Sequence, residues 1–588
     1  LWNTVNNETK KGKFMDQKKS NHPAVYKVIV AVLSIVILGL SGFFIYQIQA
    51  LHVLPGNLLI PICVMIGLIV VIMLALWNFY QHVTWSRVVL TILNIAMLCV
   101  FSVGNFYLYK TNDTLQVVTA QKKEVKNTVS LLVKNDSEIQ SIHDLNEKAI
   151  GKLNSIDALG TTKMITHLQE QFGVDTESLL PFQVNSYDSV EKEVEALYNN
   201  EVQAIILNES YRTNVLEYEP YANFNNEVRS IDEVVYYTKV DNEAMAVPEI
   251  TKNAFNILIS GNDTYGDVGE LSRSDVNMVV TVNPQTRTVL LTSIPRDCYV
   301  EFVCDEQDAC LAGASDKITH TGLHGINTTK KTVENLLGIT VNYTFRANFS
   351  SVMEIVDAIG GIDVEIPEGM AVETFYANNT LEGVHEGMNH LQGERALAFA
   401  RERYAYIDGD NQRVRNQQTV LKAIFAKATS PEIIVNYSSL LDAFQGAFDT
   451  TLSQDEITTL IKYQIQENPQ WKFESYQLTG EGAQLLSPEL GRTAYVTVVD
   501  PYSITLAHDK IEAVLKGESA DSIETPVSGF SSQTGENTAG QEQEYYDPSQ
   551  YDDPSMYYDP YFQEQPGIET EEPGIPSQDE MTVPEEEQ

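Results

Sequence analysis

The most constraining feature of this chain is a lack of charge near its N-terminus. No Asp, Glu, Lys or Arg occurs from position 28 to 86, nor from 88 to 109. Three apolar stretches lie there, at 28–46, 58–77 and 88–109, and each has about the 20 residues that a helix needs to cross a bilayer. A buried core helix is the alternative, but one of this length rarely lacks charge. The pattern predicts three transmembrane helices, and not a cleaved signal peptide, because two more apolar stretches follow the first.

The lysines predict the orientation of these helices. Six lysines precede the first apolar stretch, whereas the loop between the first and second stretches carries no charge. Positively charged flanks stay in the cytoplasm, so residues 1–27 are predicted to be a cytoplasmic basic tail. With three spans over 28–109, everything that follows is predicted to lie outside the cell.

Composition divides the rest of the chain into three parts. Residues 110–249 alternate short apolar runs with amphipathic segments, which predicts a small extracellular α/β accessory domain. Residues 250–516 form a larger domain of similar pattern. Residues 517–588 contain 19 acidic residues and no Lys or Arg, which predicts a disordered acidic tail rich in Tyr and Pro. Its role as a solvated spacer or an adhesive segment stays open, and the net charge of −41 argues against a nucleic-acid partner.

Strand and helix patterns alternate within the larger domain. The segments FNILISG, VNMVVTVN and TVLLTSIP have the β-branched content and turn-forming ends of strands. Segments at 328–339, 349–361 and 415–428 have helical spacing. This predicts an α/β fold, a mixed sheet flanked by helices.

Charged side chains collect where the predicted strands end, the usual place for a ligand in α/β folds. Asp263 follows the first strand, and Arg273 and Asp275 precede the second. Two carboxylates suit Mg²⁺ (or Mn²⁺) when phosphate oxygens complete the coordination, although Asp is also common in ordinary turns. Arg296 and Lys317 are candidate phosphate contacts, with a structural ion pair as the alternative for Arg296.

The stretch ARERYAYIDGDNQRVR gathers four arginines in an acidic chain. If its first half is extended, Arg401 and Arg403 project from one face of a strand. Arg413 and Gln417 are four residues apart on a predicted helix and therefore share a face. Guanidinium groups match phosphate oxygens in a bidentate manner, so the stretch predicts an anion site.

Ordinary surface ion pairs are the alternative explanation of the same stretch. Such pairs contribute only about 0 to 1 kcal/mol each. The acidic partners within reach are Glu402, Asp408 and Asp410. Arg415 is two positions past Arg413 on the helix, so we expect it to point away as a surface charge.

Four blocks of the larger domain resemble, in order and spacing, the signature blocks of the LytR-CpsA-Psr family. They are SRSDVNMVVTVNPQTRTVLLTSIPRDCYV, DKITHTG, AIGGIDVEIP and LQGERALAFARERYAYIDGDNQRVRNQQTVL. The resemblance covers roughly residues 250–516. Three membrane spans followed by an accessory domain resemble the streptococcal-type capsule-assembly branch.

The resemblance implies a membrane-anchored extracellular phosphotransferase. Such an enzyme attaches a glycopolymer, capsular polysaccharide or wall teichoic acid, from a polyprenyl-pyrophosphate carrier to peptidoglycan. Polyprenyl-pyrophosphate phosphatase activity is an expected side reaction, and other capsule-assembly proteins are expected partners. The alternative is a non-catalytic membrane regulator of capsular polysaccharide synthesis that binds the lipid-linked polymer.

The resemblance also implies roles for individual residues. The pyrophosphate would be bound by Arg273, Arg296, Arg401, Arg403 and Arg413, with Gln417 assisting. Asp263 and Asp275 would hold the metal or orient the arginines. The expected catalytic residues are Arg273, Arg401, Arg403, Asp263 and Asp410, and a carboxylate of Asp263 or Asp410 would act as general base.

Three details of the large domain are left open by the sequence. The prenyl chain needs an apolar slot, which we expect between the sheet and the helices at 328–339 and 350–359. Cys304 and Cys310 are close enough to form a disulfide in an oxidising exterior, with two free thiols as the alternative. Thr319 stands where many family members have Asn.

Overall fold

A computed structural model describes residues 22–523, with gaps at 53, 55, 81–83, 120–123, 217, 240–243, 265–267, 305–309, 431–442 and 444–446. The predicted disorder of the acidic tail and most of the basic N-terminal tail fall outside the described residues.

Three long helices open the described chain. They are α1 (His22–Ala50), α2 (Gly56–Phe79) and α3 (Thr84–Thr119). All three are long and apolar enough to cross a membrane, as predicted. They pack around Trp77, whose indole N–H donates to the Thr91 hydroxyl at 3.2 Å. The third helix continues beyond its apolar part, and Asn112 there accepts a hydrogen bond from Gln454 of the larger domain at 3.3 Å.

The accessory domain is the predicted α/β unit. Its strands are β1 (Glu124–Lys134), β2 (Ala149–Leu153), β3 (Gln183–Tyr187), β4 (Ala204–Asn208) and β5 (Val228–Lys239), in the order β3-β2-β4-β1-β5. Its helices are α4 (Ala158–Phe172), α5 (Val190–Tyr198), α6 (Arg212–Leu216) and α7 (Phe224–Glu227). Every residue of β4 is buried, because α4 and α5 belong to two apolar clusters on opposite faces of the sheet.

The larger domain has a mixed central sheet flanked by helices. Its strands are β6 (Phe255–Asn262), β7 (Ser274–Asn283), β8 (Thr288–Ile294), β9 (Cys298–Glu301), β10 (Ser315–Lys317), β11 (Tyr343–Ala347), β12 (Ile362–Ile366), β13 (Val372–Thr374), β14 (Glu382–Val384), β15 (Gly387–Leu391), β16 (Phe448–Thr450), β17 (Lys472–Gln477), β18 (Gly480–Ser487) and β19 (Arg492–Val499). Its helices are α8 (Ile326–Leu337), α9 (Phe349–Ala358), α10 (Gly393–Arg401), α11 (Asp410–Ala428), α12 (Gln454–Glu467) and α13 (Pro501–Leu515).

Two sheets position the site. The central sheet has the order β16-β11-β6-β7-β8-β17, and a smaller one has the order β10-β9-β19-β18. Alternation along the strands sends Leu258 and Val279 towards α8 and α13 on one face of the central sheet. Met278 and Leu291 point to the other face, towards α11. Cys304 and Cys310 form a disulfide, with their Cα atoms 5.8 Å apart.

Candidate functional site

The predicted site residues meet at one edge of the central sheet. β11 is parallel to β6, whereas β7 is antiparallel to both β6 and β8. The ends of β6, β8 and β11 therefore share an edge with the beginning of β7. Asp263, Arg273 and Arg296 lie at or next to these strand ends. The sequence predicted this grouping because strand ends in α/β folds gather in one place.

A cavity of about 1190 Å³ opens at this edge. Its lining includes nine of the predicted residues: Asp263, Arg273, Asp275, Arg296, Lys317, Arg401, Arg403, Arg413 and Gln417. Asp410 is outside the lining and instead forms an ion pair with Arg413, Oδ1 to Nη2, at 2.5 Å. Arg415 is also outside the lining, as we expected, and pairs with the exposed Asp408.

Two carboxylates that line the cavity are each bound by an arginine. Arg273 donates its Nε–H to Asp263 Oδ2 at 2.9 Å, and its Nη2 also binds that oxygen. Arg296 donates to Asp275 Oδ2 at 2.8 Å. Burial alone would raise the pKa of Asp275, but Arg296, Arg273 and Arg413 outweigh it and hold this pKa well below its usual range. Asp275 is therefore ionised, and each carboxylate orients the arginine that it binds.

Thr319 completes the hydrogen bonding of Asp275. Its hydroxyl donates to Asp275 Oδ1 at 2.8 Å, so the residue that departs from the family pattern still makes a polar contact in the site. Lys317 pairs with Asp297, Nζ to Oδ1, at 2.9 Å. These contacts join the DKITHTG block to the arginine cluster.

The guanidinium of Arg413 is buried and lies close to other charged groups of the cavity. Burial, and after it the proximity of Arg296, lower the pKa of the Arg413 guanidinium to about 10, against the opposing effects of Asp410 and Asp275. A buried cation that lies beside another cation is stabilised by an anion between them. Arg413 therefore favours an anionic ligand.

The prediction that Arg401 and Arg403 share the face of a strand is wrong. Arg401 is the last residue of α10, and Arg403 lies in the turn that follows. The Arg401 guanidinium lies 4.2 Å from the centroid of the Phe349 ring, and that of Arg403 lies 4.5 Å from the Tyr404 ring. The helix ends between the two arginines, so their spacing of two residues does not reflect the alternation of side chains along a strand.

Glu402 is a structural residue that the sequence did not reveal. It is fully buried, and its carboxylate accepts hydrogen bonds from three backbone N–H groups: Tyr376 at 2.6 Å, Arg403 at 3.0 Å and Ala405 at 3.1 Å. The expectation of a surface ion pair is therefore wrong for Glu402. Its carboxylate fixes the turn that separates Arg401 from Arg403.

An apolar wall adjoins the arginines. It is formed by Ile259, Met278, Phe349, Val352, Leu397, Val420, Leu421 and Ile424. The predicted slot is thus found against α9, with α10 and α11 beside it. The expectation for the helix at 328–339 is wrong, because α8 packs with Leu258 and Val279 on the opposite face of the sheet.

The carboxylates that line the cavity fit a divalent cation only when a bound ligand supplies further oxygen atoms. Within the described ranges, no group of three or more His, Cys, Asp or Glu side chains is arranged to hold a metal. Asp263 and Asp275 both line the cavity, and two carboxylates with phosphate oxygens and water make an acceptable Mg²⁺ environment. The chain supplies part of such a site.

Charge and shape together define what the cavity accepts. Six cationic side chains line it against the carboxylates of Asp263, Asp275, Asp297 and Glu219. This excess of positive charge contrasts with the net charge of −41 for the whole chain. The lining favours a ligand with an anionic group and an apolar group side by side.

Comparison with known proteins identifies the family. The LytR_cpsA_psr family model matches residues 220–500. A Bacillus mycoides (strain KBAB4) protein named polyisoprenyl-teichoic acid–peptidoglycan teichoic acid transferase TagU is 34% identical over 264 residues, which are 43% of this chain and 79% of the relative. This chain belongs to the LytR_cpsA_psr family.

A second curated relative and a solved structure are also similar to this chain. A TagU of the same description from Enterococcus faecalis (strain ATCC 700802 / V583) is 34% identical over 215 residues, 35% of this chain and 64% of the relative. The crystal structure of B. subtilis TagT is 25% identical, with a TM-score of 0.36, and covers 47% of this chain and 97% of TagT. The resemblance to the family is confirmed, whereas the capsule-assembly branch stays a prediction.

Proposed function

We propose that this LytR_cpsA_psr protein is a membrane-anchored phosphotransferase that attaches a glycopolymer to peptidoglycan. The donor is a polyprenyl-pyrophosphate carrier of capsular polysaccharide or wall teichoic acid. The observation that carries the proposal is that an apolar wall adjoins an excess of cationic side chains in one and the same cavity. The named relatives are teichoic acid transferases that use a polyisoprenyl carrier, which supports this donor class.

The geometry suggests how each part of the donor is held. The prenyl chain packs on Phe349, Val352 and Ile424, and the pyrophosphate binds the arginines. A hydroxyl group of peptidoglycan attacks the phosphorus atom that carries the glycan. The new O–P bond forms as the bond to the prenyl-phosphate oxygen breaks, and polyprenyl phosphate leaves. The arginines stabilise the negative charge of the phosphoryl group during transfer.

A carboxylate accepts the proton of the attacking hydroxyl group. Of the two predicted bases, Asp263 lines the cavity whereas Asp410 does not, so we favour Asp263. Water in place of the acceptor would release the glycan phosphate, and we propose this polyprenyl-pyrophosphate phosphatase reaction as a side activity.

The central test removes the two arginines that flank Glu402. Arg401→Ala combined with Arg403→Ala is expected to lower kcat/KM for transfer at least 100-fold, because two charge-assisted contacts to phosphate are lost. Release of polyprenyl phosphate and incorporation of polymer into peptidoglycan measure the activity. Arg415→Ala is the matched control, since Arg415 is an exposed arginine of the same segment outside the cavity.

Two results would contradict the proposal. Unchanged transfer by the Arg401→Ala, Arg403→Ala variant would remove the cluster from the reaction. Tight binding of the donor with no turnover would favour the alternative, a non-catalytic regulator of capsular polysaccharide synthesis.

We further propose that Mg²⁺ (or Mn²⁺) binds with the donor. Asp263 and Asp275 would hold it together with pyrophosphate oxygens, and it would neutralise charge on the pyrophosphate. Chelation with EDTA is expected to lower turnover at least tenfold, and added Mg²⁺ should restore it. Full turnover in EDTA would exclude this role.

The topology follows from the lysines and stays a proposal. We propose that the N-terminus is cytoplasmic and that the accessory and larger domains lie outside, where peptidoglycan and other capsule-assembly proteins are accessible. A reporter fused after Gln588 and active only outside the cell tests this, and cytoplasmic activity of the reporter would reverse the orientation.

A further inference from the structure

A segment of the accessory domain lines the cavity of the larger domain. The contributing residues lie within positions 213–223, called the rim segment here: Thr213, Leu216, Glu219, Ala222 and Asn223. Glu219, Ala222 and Asn223 are exposed. The proposed transfer reaction does not assign any of them a role.

The larger domain contacts the accessory domain just before the rim segment, at Tyr211, and within it, at Tyr218. Glu489, in the turn between β18 and β19, accepts hydrogen bonds from the Tyr211 hydroxyl at 3.0 Å and pairs with His324 at 2.7 Å. Arg492 pairs with Glu191 at 3.2 Å, and its guanidinium lies 4.5 Å from the centroid of the Tyr218 ring. The rim segment is thus a fixed part of the cavity wall.

Tyr495 of β19 contributes to the same cavity as the rim segment. β19 runs parallel to β9 with Thr497 opposite Cys298, and Arg296 lies in the turn that leads into β9. Tyr495 shares the cavity lining with Arg296 and with the rim segment, whereas the apolar wall belongs to other elements, including α9, α10 and α11. The arginines therefore share the cavity with an apolar part, which is the wall, and with a polar part that is formed by the rim segment and Tyr495.

The polar part is suited to a sugar. Tyr495 is 53% exposed and offers an aromatic face with a hydroxyl group. Glu219 and Asn223 offer oxygen and amide groups for hydroxyl groups of a ligand. The hydroxyl of Thr213 is buried and has no hydrogen-bond partner among the described residues. A few convergent polar groups beside an aromatic ring are typical of a site that selects a small polar ligand.

We propose that the rim segment and Tyr495 bind the sugar that is attached to the pyrophosphate of the donor, and so select the glycopolymer. This inference rests on the proposed function, because it needs the pyrophosphate at the arginines and the prenyl chain on the apolar wall. The accessory domain is then a specificity element of the transferase.

Binding of matched probes to the detergent-solubilised full chain tests the inference. The probes are farnesyl pyrophosphate esterified with N-acetylglucosamine, glucose or galactose, and farnesyl pyrophosphate methyl ester, which keeps the charge but lacks a sugar. We expect at least one sugar probe to bind about tenfold more tightly than the methyl probe. Glu219→Ala combined with Asn223→Ala, and separately Tyr495→Ala, should abolish this preference and leave the affinity for the methyl probe unchanged.

The controls separate this inference from the proposed function. Gln183→Ala combined with Glu195→Ala changes two exposed residues of the accessory domain outside the cavity and should keep the preference. If the methyl probe binds but no sugar improves affinity, or if the rim variants keep the preference, the inference is wrong and the proposed function stands. If neither kind of probe binds, the proposed function fails together with the inference.

Discussion

Glu402 holds the turn between Arg401 and Arg403 with three backbone hydrogen bonds, two to Oε1 and one to Oε2. In Glu402→Gln, an amide NH₂ replaces one of these acceptors and faces a backbone N–H. Hydrogen bonds to charged groups contribute roughly 1.5 to 3 kcal/mol each, so we expect a lower melting temperature. Because the turn positions Arg403, we also expect KM for the donor to rise about tenfold.

Asp408→Asn is the control for this prediction. Asp408 is an exposed residue of the same segment and pairs with the exposed Arg415, so stability and KM should stay close to those of the wild type. A Glu402→Gln protein that is less stable but keeps the wild-type KM would show that Glu402 stabilises the fold without positioning the arginines.

Among individual residues, the positions of those at strand ends were easier to predict from the sequence than the burial of polar side chains. Asp263, Arg273 and Arg296 were predictable because strand ends of one sheet meet. Glu402 was not predictable, because a glutamate between two arginines is typical of a charged, exposed surface. Only the folded backbone shows the three N–H groups around its carboxylate.

The short 3-10 helix Ile318–His324, called the 318–324 loop below, and the beginning of β7 approach each other at Gly322. A Cβ atom there would lie 2.4 Å from the carbonyl oxygen of Ser272 and 2.5 Å from the backbone nitrogen of Ser274. Gly322→Ala therefore must separate the loop from β7 and shift Arg273. We expect a loss of about 1 to 3 kcal/mol in the free energy of unfolding, as for other overpacked sites, and at least a tenfold lower transfer rate.

Gly42→Ala is the same substitution at a position where a Cβ meets nothing within 4 Å, and it should leave both measurements unchanged. A Gly322→Ala protein with wild-type transfer would show that this contact does not position Arg273.

The sequence predicted β6, β7 and β8 correctly, since each has a clear strand pattern. It was wrong about an extended segment at Arg401 and Arg403, because the end of α10 depends on contacts such as those of Glu402.

The relation between the accessory domain and the larger domain could not be read from the sequence. Tyr211 and Glu489 are far apart in the chain, yet they share a hydrogen bond, and Leu323 of the larger domain packs in the apolar core of the accessory domain. No periodicity or motif marks such contacts. The position of the accessory domain at the cavity is therefore a result of the structure alone.

A small cavity between the domains is lined by several ionisable residues, among them Asp157, Tyr236, Lys239 and His324. Burial raises the pKa of Asp157 from 3.8 to about 7, against the lowering effect of hydrogen bonds from Asn208 and Gly160. The folded protein therefore keeps this proton up to about pH 7, whereas the unfolded chain releases it near pH 4. It follows that this group makes the folded state less stable as pH rises from about 4 to 7.

Asp157→Asn removes this pH dependence. Asn retains the capping of α4 and tolerates the left-handed backbone at this position, where φ is 47°. Near pH 4 the variant should unfold with about the same free energy as the wild type, and at pH 8 it should be more stable, by up to about 4 kcal/mol. Hydrogen exchange of Ala158–Phe172 at both pH values measures the difference, with the exposed Asp188→Asn as control. Equal protection of wild type and Asp157→Asn at pH 8 would show that Asp157 is ionised without cost, and that cationic groups around this cavity, such as His324 or Lys239, compensate its charge.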